Sequence, residues 1–179
     1  DVREKKPCFH SQKMHESIVC GLDHDHSRIA TGGNDDIARV WDVRMHGELW
    51  CVRHDAAVKA VAFGPGGVLA TGGGYGCKKV KISSAGRERL IHAGGQVAGL
   101  EWFGKELVAC VNGARSAIQV LKRASLVAKT ASLPEGRFLS SARNGNVLLT
   151  LSSDEALRVW DVGRYTPAVP SSQLLRSIR

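Results

Sequence analysis

Three stretches decide the fold: "IATGGNDDIARVWDV" (29–43), "LATGGGYGCKKVKISS" (69–84) and "LLTLSSDEALRVWDV" (148–162). Each opens on two or three apolar residues, passes through small residues into a polar turn, and continues with alternating side chains. In the first, Ile37, Arg39 and Trp41 alternate with Ala38, Val40 and Asp42. A period of two puts successive side chains on opposite faces of an extended chain, which is the pattern of a β-strand. "VKAVAF" (58–63), "GVLATGG" (67–73) and "ELWCVR" (48–53) read as strands in the same way.

The pattern recurs. Trp41 and Trp160 hold one template position, and Ser83 in "VKISS" and Leu121 in "IQVLK" fill it in between; positions 41, 83, 121 and 160 are 42, 38 and 39 residues apart. A period of about 40–45 residues with Trp-Asp after a strand is the blade period of a WD-repeat β-propeller. The expected fold is therefore all-β, with about four blades of a seven-bladed propeller. In such a blade a His before the first strand, an Asp in the turn and the Trp can be joined by hydrogen bonds, because buried polar groups need partners. His15, Asp35 and Trp41 are in register for this, and Asp154 and Trp160 repeat the turn-to-Trp spacing. The second blade keeps His54 but carries Cys77 and Ser83 at the Asp and Trp positions; the third carries Arg115 and Leu121. Those two blades are expected to rely more on apolar packing.

The opening "DVR" matches the end of "WDVR" (41–44), so residues 1–14 read as the remnant of a preceding blade and a linker. Residues 15–162 read as propeller blades. In "VGRYTPAVPSSQ" (162–173), Pro167 and Pro170 argue against a strand, so 163–179 reads as a flexible C-terminal tail ending Ile178-Arg179. Because closure is what hides a propeller's sheet edges, the sequence reads as the C-terminal part of a longer protein.

With 43% hydrophobic and 23% charged residues, the 179-residue chain has the composition of a globular domain. No apolar run approaches the roughly 18 residues a membrane span needs. Five scattered cysteines without C-x-x-C spacing suggest a reducing compartment rather than a disulfide framework. The net charge of +8 suits an acidic partner, but the cations are dispersed and not interleaved with aromatics, which argues against nucleic acid. "HDH" (24–26) falls in a predicted turn and reads as solvated rather than metal-binding. "GGGYG" (72–76) is followed by neither G-K-[ST] nor a helix, so it is not a phosphate cradle. There is no G-x-S-x-G and no catalytic Cys–His context. The chain is expected to be no enzyme and to use no metal or cofactor.

The order of "GGND", "AAVKAVAF", "LATGGG", "GGQVAGLEW", "SSDEALRVWD" and a terminal Ile-Arg resembles the fizzy and fizzy-related family along essentially the whole chain. Members of that family are substrate-recruiting activators of the anaphase-promoting complex, a ubiquitin ligase. The resemblance implies that Ile178 and Arg179 dock into a tetratricopeptide-repeat subunit of the ligase, the arginine offering a planar fork of donors. It implies a KEN-box face formed by Asn34, Gln96 and Arg137, with Arg137 suited to the degron's glutamate. Tyr75 stands where the family usually has Thr, a larger group that narrows this pocket. Glu155 matches the acidic residue that receives the arginine of a destruction box. Further implied partners are degron-bearing substrates such as cyclins and securin-like proteins, and checkpoint inhibitors, in nucleus and cytoplasm, with mitotic or meiotic roles in the cell cycle. "CVNGARSA" (110–117) departs from the family's pattern, two blade tryptophans are missing, and the ligase-binding C box is not in this sequence. A different class of reading is a WD-repeat scaffold, or a truncated paralogue that does not activate.

Overall fold

The computed structural model describes residues 14–84, 87–122, 125–133, 135–162 and 166–167, and among them there is no α-helix. Four four-stranded antiparallel sheets follow one another along the chain. Blade 1 is β1 (Val19–His24), β2 (Arg28–Gly33), β3 (Ile37–Asp42) and β4 (Gly47–Arg53). Blade 2 is β5 (Val58–Phe63), β6 (Leu69–Gly73), β7 (Lys79–Ser84) and β8 (Arg87–His92). Blade 3 is β9 (Gln96–Phe103), β10 (Glu106–Asn112), β11 (Ala117–Lys122) and β12 (Ser125–Ser132). Blade 4 is β13 (Phe138–Asn144), β14 (Val147–Ser152), β15 (Leu157–Asp161) and β16 (Thr166–Pro167). Each sheet is a meander, every strand pairing with the next in sequence. These are propeller blades, and the all-β expectation holds.

The core lies between blades. Ala30, Val40 and Val52 of blade 1 pack on Val58, Val61 and Leu69 of blade 2. Val80 and Ile91 meet Val97, Leu100 and Leu107 in the second layer. Val108, Ile118 and Val120 meet Phe138, Leu148 and Trp160 in the third. Burying one such aliphatic side chain contributes about 1.5–3 kcal/mol, so three continuous layers outweigh any single polar contact.

The paired glycines in "ATGG" and "LATGG" serve this packing. A Cβ on Gly32 would lie 2.8 Å from Val58 Cγ1, and one on Gly72 would lie 2.5 Å from Val97 Cγ1. The absent side chains let neighbouring blades approach. A Cβ on Gly33 would fall 2.4 Å from both His15 Nδ1 and Asp35 Oδ1, so the second glycine makes room for that polar pair.

The segment after Asp161, read from sequence as strand-free, contributes β16, which pairs Thr166 with Asp161 and Pro167 with Trp160. A proline is tolerated at such an edge because, among the described residues, no further strand pairs with β16. The "HDH" turn is built by Asp25, whose Oδ1 accepts hydrogen bonds from the N–H groups of Ser27 (3.3 Å) and Arg28 (3.0 Å). Cys20, Cys51, Cys77 and Cys110 are free thiols. The predicted docking residues Ile178 and Arg179 lie outside the described residues.

Candidate functional site

The polar networks that hold the blade turns come first, because they aim the loops. In blade 1, His15 Nδ1 is 2.8 Å from Asp35 Oδ1, and His15 Nε2 is 2.8 Å from Thr31 Oγ1. Trp41 Nε1 donates to the same Thr31 hydroxyl at 3.1 Å. The histidine and tryptophan meet through a threonine, not directly. Thr31 is thus the hub that the sequence reading did not single out, although Thr71 and Thr150 recur at the matching place. In blade 4 Trp160 Nε1 donates to Thr150 Oγ1 at 2.8 Å. Asp154 there is gripped by Arg158, with Nη2 2.5 Å from Oδ2. That guanidinium, helped by the Ser152 hydroxyl, holds the Asp154 carboxyl well below the usual carboxylate range. For Asp35, burial raises the pKa, but hydrogen bonds from His15 and the Glu16 N–H outweigh it and lower it overall.

Blade 2 keeps part of this arrangement. His54 Nε2 is 2.7 Å from Thr71 Oγ1, and Cys77 Sγ stands 3.7 Å from His54 Nδ1, where blade 1 has its aspartate. Burial and the Lys81 ammonium push the His54 pKa down to about 4.

The four residues assigned to the KEN-box face stand at one end of the blades, where β1, β5, β9 and β13 begin. Asn34 follows β2, and its Oδ1 accepts from Lys59 Nζ at 2.7 Å and from Cys20 Sγ at 3.1 Å. Lys59 Nζ also donates to Cys20 Sγ at 3.1 Å, tying blade 2 to blade 1. Gln96 opens β9 beside Asn112, whose side chain bonds both the N–H and the carbonyl of Phe138 at 2.8 Å. Arg137 precedes Phe138 and reaches across to blade 2: Nη1 donates to the Tyr75 hydroxyl at 2.7 Å, and Cζ sits 5.4 Å from the Tyr75 ring centroid. Tyr75 therefore engages the guanidinium itself.

Below this rim runs a groove of about 530 Å³ between the innermost strands, with Cys20, Lys59, Gln96 and Phe138 among its walls. Exposed Leu22 and Leu139 give it apolar surface. Glu101 also lines it, and burial raises that carboxyl's pKa against the opposing hydrogen bond from Ser141. Cations at the rim, amides on the wall and exposed leucines suit an extended peptide with an acidic residue.

Glu155 is exposed on the β14–β15 turn, with φ at 61°. Among the described residues its carboxylate makes no hydrogen bond or ion pair, while Ser153 of the same turn exchanges two hydrogen bonds with the Arg137 backbone, at 2.9 and 3.0 Å. No group of three or more His, Cys, Asp or Glu among the described residues is placed to hold a metal ion.

A WD domain, G-beta repeat, matches residues 6–42. The chain is 33% identical to "Meiotic fizzy-related protein 1" of Schizosaccharomyces pombe, over 96% of this chain and 44% of that protein. It is 34% identical to "WD repeat-containing protein slp1" of the same yeast, over 90% of this chain and 36% of that protein. It is 30% identical to "APC/C activator protein CDC20" of Saccharomyces cerevisiae, over 90% of this chain and 30% of that protein. The chain thus spans less than half the length of these relatives. A chain in the crystal structure of the mitotic checkpoint complex superposes with a TM-score of 0.71 at 35% identity, covering 83% of this chain and 50% of that one. The computationally designed Ika4 protein, 19% identical with a TM-score of 0.65, shares the fold.

Proposed function

We propose, for a chain that belongs to the fizzy and fizzy-related family of WD-repeat proteins, that it recognises degrons as part of an activator of the anaphase-promoting complex. It does no bond chemistry in this reading. It holds a substrate near the ligase, and rate is gained by proximity. The observation that carries the reading is the convergence of Asn34, Gln96 and Arg137 at one rim above a groove fit for an extended peptide. A KEN-box glutamate would pair with Arg137, its lysine and asparagine with the carbonyl and amide groups of Asn34 and Gln96. Glu155 would receive the arginine of a destruction box, and Ile178-Arg179 would dock on a tetratricopeptide-repeat subunit. Cyclins and securin-like substrates, checkpoint inhibitors, and a nuclear and cytoplasmic setting follow from the same reading.

One observation favours a second reading, a scaffold that no longer takes a KEN box: Tyr75 already occupies Arg137. A single titration separates the two. A KEN-box peptide is added to the protein and to its Arg137→Ala and Tyr75→Thr variants, with binding read by calorimetry. Under the first reading Arg137→Ala weakens binding about tenfold or more, the loss of a charge-assisted pair. Under the second the parent does not bind and Tyr75→Thr gains binding. Equal binding by the parent and Arg137→Ala overturns the site assignment.

A further inference from the structure

A second opening lies away from the groove, on the outer side between blades 1 and 2. It has a volume of about 700 Å³ and is walled by Trp50, Cys51 and Val52 of β4, by Ser83 and Ser84 of β7, and by the Gly66-Gly67 turn. Its position follows from the repeat. Ser83 pairs with Leu69 as Trp41 pairs with Ile29 and Trp160 with Leu148, so Ser83 occupies the blade tryptophan's place. In blades 1 and 4 an indole fills that place and donates to a threonine hydroxyl. In blade 2 the threonine and the histidine remain, but the ring is gone.

Ser83 is only 8% exposed, and its Oγ has no hydrogen-bond partner. A buried hydroxyl without a partner costs about 1–3 kcal/mol, a cost that blades 1 and 4 do not carry. The rim carries Arg28, Arg53 and Arg87 against Glu88 alone. Arg28 is bound to Asp25 and Glu88 to Lys81, whereas Arg53 and Arg87 make no ion pair among the described residues. The slot thus has room for an aromatic ring, an apolar wall in Trp50 and Val52, and the guanidinium groups of Arg53 and Arg87 at its mouth.

We propose that this slot is a docking site for a partner protein's peptide segment that inserts one Trp or Tyr side chain between blades 1 and 2, with flanking carboxylates on Arg53 and Arg87. The ring packs against Trp50 and Val52 beside Ser83, the residue that stands in the blade tryptophan's place. The site is separate from the degron groove and stands whether or not that reading holds.

The probe is the peptide acetyl-Asp-Glu-Trp-Glu-Asp-amide, titrated calorimetrically into the full chain. Saturable binding is expected. It should weaken about tenfold or more when the peptide's Trp is replaced by Ala, and similarly with the Arg53→Glu/Arg87→Glu double variant, which alters only the rim. Ser83→Trp should fill the slot and abolish binding while leaving the melting temperature equal or higher. No saturable binding to the parent overturns the proposal, as does undiminished binding to Ser83→Trp or to the rim variant. Occupation of the slot by another part of this chain or by a second copy would appear as absence of peptide binding.

Discussion

Blades 1 and 2 have the same four-stranded meander and the same Thr-Gly-Gly at the end of the second strand. Blade 1 adds a connected network in which His15 bridges Asp35 and Thr31, and Trp41 closes on Thr31. Blade 2 retains the His54–Thr71 bond and a longer contact from the thiol in the aspartate's place, with a lone serine in the tryptophan's. Yet both blades keep the same order of four strands. The apolar layers between blades carry the architecture, and the polar network refines the turns. What blade 2 gives up in satisfied polar groups it gains as open volume.

The strongest test of that comparison adds volume to the contact both blades share. Gly32→Val and Gly72→Val would each force a side chain into the neighbouring blade's valine, and each should destabilise by about 3 kcal/mol, more than loss of any one hydrogen bond. Thermal melting of the two variants checks this; a tolerated valine at either site would refute the claim that close inter-blade approach holds the fold.

Next in size is a pH effect confined to blade 2. His54 is held neutral with its pKa lowered to about 4, against an ordinary value of 6.5. The unfolded chain therefore binds the proton first on acidification. The stabilisation is complete above about pH 6.5 and is lost as pH falls toward about 4, to the order of 3 kcal/mol. Cys77→Asp would place a carboxylate beside His54 as Asp35 stands beside His15, and should remove most of this acid sensitivity. Melting curves between pH 4 and pH 7 for the parent and Cys77→Asp measure it; parallel losses in both would contradict the assignment to His54.

The smallest expected effects come from the turn residues themselves. Asp35→Ala leaves a buried His15 nitrogen and the Glu16 N–H without their acceptor and should cost about 1–2 kcal/mol. Cys77→Ala, the matching change in blade 2, should cost less, since it removes only a weak sulfur contact. Equal losses would mean that the two turns are held alike.

Much of the architecture is legible in the chain because strands and blades are local. The alternation around Trp41 and the recurrence at about 40-residue spacing depend only on neighbours in sequence, and so does the loss of tryptophan at positions 83 and 121. The candidate site was legible only as separate letters. Asn34, Gln96 and Arg137 could be named, but the partners that restrain them could not, because Lys59 meets Asn34 and Tyr75 meets Arg137 across blades. Thr31 was legible in principle, as it recurs at the same strand position as Thr71 and Thr150, but its role needs the geometry of a shared hydroxyl.

The sequence by itself determined the β-periodicity, the blade repeat and which blades lack the Asp and Trp of the polar network, because these are properties of short spacing and residue type. Only the tertiary structure decided that Tyr75 covers Arg137, that Cys20, Lys59 and Asn34 form one cluster, and that the missing ring at Ser83 leaves an arginine-rimmed slot. Those outcomes depend on how closely one blade packs on the next, and that distance is set by glycines and side-chain volumes acting across the interface rather than along the chain.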